Sequence, residues 1–168
     1  MDPKKLTLEN KWTLWFHSKN NRNWDKESYT KICEIYTVND FWQIFNHIKN
    51  FTTEMYFLMK DDIFPMWECD DNKNGGAWTF DFDRNYGHDI WVNISLLLIG
   101  GTLSFDNYDD INGISIKPKY SSSIVKVWTK SINNSSCDDY FNIDELQNIF
   151  DEFDIQSKIN ESVSFSKY

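Results

Sequence analysis

The sequence lacks an apolar run long enough to cross a membrane. One candidate stretch, from Ile94 to Gly101, is short and interrupted by Ser95, whereas a membrane-spanning helix needs about 18 or more apolar residues in succession. No apolar secretory signal opens the chain. Cysteine is also scarce, and Cys33, Cys69 and Cys137 have neither the number nor the spacing of a disulfide framework or a zinc site. We therefore expect a protein of a reducing compartment, in the cytoplasm and without membrane contact.

Positive charge is in short supply too. The chain has 17 Lys and Arg against 26 Asp and Glu, a formal net charge of -9. Non-specific binding of nucleic acid needs a basic face that neutralises phosphates, so the overall charge excludes that class of protein. Any contact with nucleic acid must be local. A base that carries its own positive charge is not repelled by the negative chain, and stacked aromatic rings favour such a base.

Signals of catalysis and of metal binding are absent from the sequence. His17, His47 and His88 occur singly, with no neighbouring Ser or Cys motif that indicates a nucleophile, and no Gly-rich loop cradles a triphosphate. The acidic segment from Asp106 to Asp110 lacks the spacing and the terminal Glu of an EF-hand, which favours a solvated turn. The sequence thus predicts neither an enzyme nor a cofactor.

The most informative segment runs from Pro65 to Trp78 and places an indole, Trp67, directly beside a carboxylate, Glu68. An aromatic face binds any base by stacking, but a neighbouring carboxylate accepts hydrogen bonds only from a base with adjacent N–H donors, which means guanine. A second indole, Trp24, lies in a polar segment with no apolar neighbours that would explain its burial. The pattern indicates two rings that close on one purine; the alternative is ordinary packing of both rings at the rim of the fold.

The length of 168 residues suits one domain. Alternation of apolar and polar residues predicts strands, most clearly where Trp78, Phe80 and Phe82 alternate with polar neighbours. Short connections exclude right-handed crossovers at most junctions, so we expect a curved, largely antiparallel sheet of the α+β class. The predicted strands are Lys11–His17, Ile32–Thr37, Glu54–Lys60, Ala77–Asp83, Gly113–Lys117 and Ser123–Lys130.

Three helices are predicted from apolar residues at helical spacing. The first begins at Thr37 with Asp40 in capping-box spacing, the second runs from about Asp89 to Gly100, and the third follows Asn142. Their expected core stripes are Phe41, Ile44, Phe45 and Ile48; Ile90, Trp91, Ile94, Leu97 and Leu98; and Leu146, Ile149, Phe150 and Phe153.

The second helix carries more apolar residues than packing on a sheet requires. Val92, Leu96 and Ile99 are predicted to face away from its core stripe, and Trp42 lies off the stripe of the first helix. If Val38, Trp42 and Leu96 lie side by side, they form an exposed patch of the kind that binds an amphipathic partner helix. The alternative is that the C-terminal segment folds back over them.

Several motifs in one order resemble the eukaryotic translation initiation factor 4E family of messenger-RNA cap-binding proteins. The resemblance is clear over residues 8–130, whereas 131–168 form a divergent C-terminal helix and tail. It implies a single cap-binding domain over 1–168, with about three helices on the convex face of the sheet and the cap site in the concave face. The matching strings are Lys11-Trp12-Thr13-Leu14-Trp15-Phe16, Val38-Asn39-Asp40-Phe41-Trp42, Asn46-His47-Ile48, Pro65-Met66-Trp67-Glu68, Lys73-Asn74-Gly75-Gly76-Ala77-Trp78, Leu96-Leu97-Leu98-Ile99-Gly100 and Val127-Trp128-Thr129.

The resemblance assigns the predicted ring pair to the cap. Trp24 and Trp67 would sandwich the 7-methylguanine, whose delocalised positive charge strengthens stacking. Glu68 would accept hydrogen bonds from the guanine N1–H and exocyclic amine, and Trp128 would contact the methyl group. The ligand is then the 7-methylguanosine cap itself, with no cofactor.

The triphosphate side departs from the family. Family members usually carry basic residues at the positions of Ala77, Lys119 and Ile124, and only Lys119 is basic here. Strand alternation puts Ile124, Lys126 and Trp128 on one face, so we expect Lys126 to reach the phosphates together with Lys119.

The resemblance implies a second binding surface. Val38, Trp42 and Leu96, with Asn93 beside them, would bind the Tyr-x-x-x-x-Leu-apolar helix of an initiation factor 4G-like scaffold or of a repressor. Asn39 and Asn93 stand where the family usually has carboxylates, which predicts altered polar contacts with that partner.

Three functions follow from these expectations. The first is a monomer that binds capped messenger RNA and recruits a scaffold factor to start translation. The second is a cap-binding repressor that competes with the active factor; the presence of both sandwich tryptophans favours the first. The third, an enzyme that acts on capped ends through Asp81 and Asp83, has no motif to support it.

Overall fold

The fold is an open, curved antiparallel sheet with helices, which confirms the predicted α+β class. A computed structural model describes residues 6–132, 136–152 and 158–164. Its strands lie in the order β2-β1-β3-β5-β6-β4-β7, and each neighbouring pair is antiparallel. The strands are β1 (Thr7–His17), β2 (Tyr29–Thr37), β3 (Met55–Lys60), β4 (Gly76–Asp83), β5 (Ile111–Pro118), β6 (Ser122–Thr129) and β7 (Lys158–Ser164).

The helices comprise the three that were predicted and one further turn. They are α1 (Val38–His47), α2 (Gly87–Ile99), α3 (Cys137–Tyr140) and α4 (Ile143–Glu152). In α4, Leu146, Ile149 and Phe150 are buried as expected, and the predicted core position Phe153 lies outside the described residues. The six predicted strands are all present, while α3 and β7 were not predicted. Strand β7 pairs at the edge of the sheet with β4.

Side chains from alternate positions of the strands pack on opposite faces of the sheet, because successive residues of a strand point in opposite directions. On one face the helices bury the larger core, which includes Trp12, Leu14, Leu58, Trp78 and Phe80. The other face has a smaller cluster formed by Met55, Phe57, Met59, Ala77 and Trp128. The helix-free face thus leaves room for a site.

Helix α1 begins as its sequence predicts. The Thr37 hydroxyl accepts a hydrogen bond from the Asp40 backbone N–H at 3.1 Å, and the Asp40 carboxylate accepts one from the Thr37 N–H at 2.9 Å. This reciprocal capping box satisfies backbone donors that the first turn leaves free. Phe41 and Phe45 are buried in the core, whereas Trp42 is 40% exposed.

The prediction for α2 is wrong at two positions. Ile99 is buried and Leu97 is half-exposed. The sequence predicted the reverse, with Leu97 in the core stripe and Ile99 facing away from it. Ile99 lies eight residues after the buried Trp91 and so shares its face, while Leu97 lies one turn after the half-exposed Asn93. Ser95 also belongs to the buried stripe, where its hydroxyl donates to the Trp91 carbonyl at 2.7 Å.

Within the described part of the chain, no helix has the length and apolar character that a membrane span requires. The same residues contain no group of three or more His, Cys, Asp or Glu side chains arranged to hold a metal ion.

Candidate functional site

The helix-free face of the sheet holds a cavity of about 430 Å³. Sites for small molecules commonly measure about 300–1,000 Å³ and are lined mainly by aromatic and apolar groups. The loops after β1 and β3 supply Trp24, Pro65 and Trp67, and the strands supply the remaining lining residues. The strand residues are Tyr29, Met55, Phe57, Ala77, Thr79, Ser115, Lys117, Lys119, Ile124, Lys126 and Trp128, with Lys119 just beyond the end of β5.

Strand register brings these side chains together. Trp128 of β6 pairs with Ala77 of β4, and Lys126, two residues earlier on β6, pairs with both Thr79 of β4 and Ser115 of β5. Paired residues of neighbouring strands project on the same face of a sheet. Three strands that are distant in sequence therefore contribute adjacent side chains to one surface.

Trp128 forms part of the wall of the cavity rather than its rim. It is 6% exposed, and its indole Nε1–H donates to the Ser115 hydroxyl at 2.9 Å. The edge of the neighbouring Phe57 ring packs against it, with ring centroids 6.1 Å apart. The indole is therefore held by a hydrogen bond on one side and by an aromatic contact on another.

Trp67 is 40% exposed and lies in a loop that a buried amide holds in place. The Asn72 amide donates to the carbonyls of Phe64 and Met66 at 2.9 and 2.8 Å, and its oxygen accepts from the Asn112 amide at 2.9 Å. Both asparagines are fully buried. Since Asn112 belongs to β5, this network fixes the Trp67 loop to the sheet.

The end of the same loop requires glycine. A Cβ atom on Gly75 would lie 1.7 Å from the Thr129 carbonyl oxygen, a distance that backbone atoms cannot relieve without moving. Gly75 therefore lets the loop approach β6 closely as it enters β4.

Trp24 is 43% exposed, and one face of its indole is covered. The buried imidazole of His17 stacks on that face with the ring centroids 4.2 Å apart and the planes 3° apart. From the sequence alone, His17 is an isolated histidine with no assigned role. Its alternation with Trp15 on β1, which places both on the helix-free face, is the signal that identifies it.

Glu68 is exposed at the rim and does not line the cavity. Its carboxylate is nevertheless close enough to act on the phenol of Tyr29, which does line it. The pKa of Tyr29 is raised, first by burial and then by the negative charge of Glu68. The phenol therefore stays protonated at neutral pH.

Three lysines, Lys117, Lys119 and Lys126, line one end of the cavity. The pKa of Lys126 is lowered, first by burial and then by the positive charges of Lys117 and Lys119. The Lys119 Nζ lies 3.8 Å from a carboxylate oxygen of Asp81, and that exposed ion pair offsets part of the repulsion. An anionic ligand bound at this end would reduce the remaining repulsion among the three lysines.

The predicted lysine pair is thus incomplete. Ala77 on β4 and Ile124 and Lys126 on β6 line the cavity, as alternation on these strands predicts, and Lys119 lines it too. Lys117 also lines the cavity but was not predicted. Alternation along β5 from Ser115 would have identified it, because Ser115 and Lys117 occupy the same face.

The residues of the predicted partner surface lie on the opposite side of the sheet. Val38, Asn93 and Leu96 are half-buried on the helices that cover the larger core, and Trp42 remains exposed beside Phe41. The Asn93 amide donates to the carbonyl of Asp89 at 3.0 Å, within its own helix. The described C-terminal residues leave Trp42 uncovered.

A family model described as eukaryotic initiation factor 4E matches residues 7–167. The chain belongs to the initiation factor 4E family. Among curated relatives, it is 35% identical over 139 residues to eukaryotic translation initiation factor 4E1 of Drosophila melanogaster and 33% identical over 139 residues to the human eukaryotic translation initiation factor 4E. Each match covers 77% of this chain, 52% of the Drosophila protein and 63% of the human one, so the chain spans between half and two thirds of these relatives.

Solved structures of the family share the fold. Caenorhabditis elegans eIF4E-3, in a complex with the 4E-binding protein Mextli and cap analog, matches with a TM-score of 0.73 and 25% identity over 93% of this chain and 92% of that one. Ascaris suum eIF4E-3, in a complex with m7G cap, matches with a TM-score of 0.72 and 26% identity over 90% of this chain and 86% of that one.

The Asn72 network leads to a stability prediction. Asn72→Ala removes one hydrogen bond to each of the Phe64 and Met66 carbonyls, which keep a backbone N–H partner, at ~0.5–1.5 kcal/mol each. It also leaves one N–H of the buried Asn112 amide without its acceptor, while the amide still donates to the Asp71 carbonyl, at ~1–3 kcal/mol. We expect the free energy of unfolding, measured by urea denaturation, to fall by about 3 kcal/mol. Asn85→Ala, at an exposed loop position, is the matched control and should change it by less than about 0.5 kcal/mol. Equal effects of the two substitutions would contradict the proposed importance of the network.

Proposed function

We propose that this chain binds the 7-methylguanosine cap of messenger RNA in the cavity and recruits a 4G-like scaffold factor to start translation. The observation that carries the proposal is one cavity lined by Trp24, Trp67 and Trp128 at its aromatic part and by lysines at one end. Family membership supports it, because members of this family are cap-binding factors and not enzymes. The m7G cap in the structure of Ascaris suum eIF4E-3 supports it as well.

Aromatic stacking supplies most of the proposed affinity. The uncovered face of Trp24 and a face of Trp67 enclose the methylated base, and each stack contributes ~1–3 kcal/mol. Glu68 accepts hydrogen bonds from the guanine edge at ~1.5–3 kcal/mol when a charge is involved. These contributions, less the entropy lost on binding, are consistent with micromolar affinity, about −8 kcal/mol. Methylation matters because it makes the base a cation between two rings.

The lysine end of the cavity takes the triphosphate. Lys117 and Lys126 supply positive charge where Ala77 and Ile124 have replaced the usual basic residues of the family, and Lys119 completes the group. Burial, and after it repulsion from Lys117 and Lys119, lowers the pKa of Lys126, so a bound phosphate stabilises the charged form of this lysine. The net charge of -9 on the whole chain then keeps binding local to this cavity.

The helix-bearing face binds the scaffold. Trp42 is the exposed anchor on this face. Val38 on α1 and Leu96 on α2 are half-buried apolar residues that would flank it. An amphipathic helix with a Tyr-x-x-x-x-Leu-apolar pattern fits this surface. We place this activity in the cytoplasm, where translation starts, and expect the chain to act as a monomer.

A repressor is the second candidate, and Asn93 is the observation that favours it. Its amide is engaged by the Asp89 carbonyl of the same helix, and it carries no charge where the family usually has a carboxylate. A partner that requires that carboxylate would bind less well, which would leave a cap-bound protein without its scaffold.

The first test is a fluorescence titration with cap analogues. We expect 7-methyl-GTP to quench tryptophan emission with micromolar affinity and GTP to bind at least about tenfold more weakly, since a cation over an aromatic face contributes ~1–2 kcal/mol. Trp67→Ala should abolish binding. Trp42→Ala is a matched control because the two indoles are equally exposed, at 40% each, and it should bind as the unaltered protein does. Equal affinity for the two nucleotides would refute cap recognition.

The assignment of Lys126 to the phosphates is tested by removing the phosphates from the ligand as well as the amine from the protein. Lys126→Ala should weaken 7-methyl-GTP about tenfold, because a charge-assisted contact contributes ~1.5–3 kcal/mol. The same substitution should leave the affinity for 7-methylguanosine, which has no phosphate, unchanged. Lys49→Ala, an exposed lysine just after α1, serves as the control for net charge. An equal loss in the two variants, or a loss for the nucleoside, would rule out the assignment.

The partner surface is tested with a synthetic Tyr-x-x-x-x-Leu-apolar peptide and calorimetry. Trp42→Ala should weaken peptide binding at least about thirtyfold, since a central aromatic anchor commonly contributes 2 kcal/mol or more. Trp67→Ala should leave peptide affinity unchanged while it removes cap binding. If either substitution reduces both activities, misfolding explains the result and the two-surface assignment is not supported.

A further inference from the structure

His17 lies directly beneath the ring that forms one side of the proposed cap sandwich. Its imidazole is fully buried and nearly parallel to the Trp24 indole, with the centroids 4.2 Å apart. Its Nε2 lies 2.9 Å from the Asn23 carbonyl oxygen and 3.1 Å from the Ser28 hydroxyl. His17 therefore holds both the ring of Trp24 and the backbone of the residue before it.

These contacts determine which imidazole nitrogen carries the proton. A carbonyl oxygen only accepts hydrogen bonds, so the Nε2 atom that faces Asn23 is the donor. Nδ1 is then the unprotonated nitrogen, and it is buried without a hydrogen-bond partner among the described residues. In that tautomer the ring stacked on Trp24 is uncharged and has one vacant acceptor.

We propose that His17 is a positioning residue of the cap site: its neutral ring holds Trp24 in stacking geometry and permits a cationic base to bind on the other face of the indole. The inference rests on the proposed function. A proton on Nδ1 would place a positive charge 4.2 Å from the indole centroid, and a methylated base stacked on the far face would bring a second one within a Debye length of ~8–10 Å. The two cations would repel each other and compete for the same π electrons.

Among the described residues, the His17 ring contacts Asn23, Ser28, Trp24 and Tyr29, none of which carries a carboxylate. Strand β2 contributes the phenol of Tyr29, with ring centroids 4.8 Å apart, and β3 pairs Met55 opposite His17. The carboxylate of Glu54, one residue earlier, accepts from the Lys19 backbone N–H. From β5, the Lys117 Nζ lies 6.0 Å from the Trp24 ring centroid.

The loop between β1 and β2 adds no compensating charge to this contact. Asp25, which follows Trp24, is exposed, and its backbone carbonyl accepts from the Ser28 hydroxyl at 2.7 Å. Glu68 acts on Tyr29 from the rim of the cavity, where it is also the proposed partner of the base. A proton on His17 therefore has no dedicated counter-ion in this part of the fold.

The test compares His17→Phe with His17→Ala at two pH values, with 7-methyl-GTP as the probe and tryptophan quenching as the readout. Phenylalanine keeps an aromatic ring under Trp24 but cannot take up a proton, whereas alanine removes the ring. At pH 7.5 we expect His17→Phe to bind within about threefold of the unaltered protein and His17→Ala about tenfold more weakly, since an aromatic pair contributes ~0.5–1.5 kcal/mol beyond burial.

Acidification separates charge from packing. Between pH 7.5 and 5.5 the affinity of the unaltered protein should fall about tenfold more than that of His17→Phe. Titration of the ligand phosphates affects both proteins alike and cancels in the comparison. Equal acid losses in the two proteins would overturn the charge dependence, and normal binding by His17→Ala at pH 7.5 would overturn the positioning. If His17→Ala does not fold, the pH comparison of the unaltered protein with His17→Phe still tests the charge dependence.

A readout without ligand distinguishes failure of this inference from failure of the proposed function. The ring protons of His17 should be shifted upfield in the NMR spectrum by the Trp24 indole, and Trp24→Ala should remove that shift. No shift would overturn the stack. Bound 7-methyl-GTP should also move the His17 titration to lower pH, because linkage between proton and ligand is reciprocal. If the unaltered protein fails to bind 7-methyl-GTP at either pH, the proposed function is wrong, and the ring-proton shift still decides whether His17 positions Trp24.

Discussion

The alternation of side chains across one antiparallel sheet positions both the core and the cavity of this protein. Each central strand places an apolar row, such as Trp78, Phe80 and Phe82 on β4, against the helices. The intervening residues are thereby committed to the opposite face, where the cavity lies. A register slip of one residue would exchange the two faces. The core therefore specifies the position of the cavity, and the two proposed binding surfaces lie on opposite sides of one sheet.

The charge at one end of the cavity is opposite in sign to the net charge of the chain. Three lysines meet at one end of the cavity although the chain carries a net charge of -9. The general field repels polyanions, whereas the cavity combines aromatic faces, which attract a cationic base, with ammonium groups, which attract phosphates. This combination suits a ligand that carries both charges and disfavours nucleic acid that carries only one. The proposal for His17 follows the same logic, because an uncharged imidazole would add no positive charge on the covered face of Trp24.

Much of the fold was predictable because it rests on local periodicity. The six strands, the capping box of α1 and the buried stripe of α4 follow from residue spacing. Predictions failed where local pattern is weak. Strand β7 is recognised by its pairing with the edge of β4. The C-terminal part of α2 is a continuous apolar run from Leu96 to Ile99, which does not reveal which residues face the core, so Leu97 and Ile99 were assigned to the wrong faces. Trp24 and Trp67, predicted as a ring pair from the chemistry of their segments, both line the cavity, whereas Lys117 and His17 were not predicted.

Motif spacing and hydrophobic alternation are properties of short segments, so the fold class and the family could be predicted from the sequence. Which side chains meet at the cavity depends on the folded chain. Strand register places Lys126 opposite Ser115 and Thr79, and closure of the loop after β1 lays Trp24 on His17. Such contacts depend on pairing between segments far apart in the chain. They are fixed by the packing of the whole sheet, which no local pattern contains.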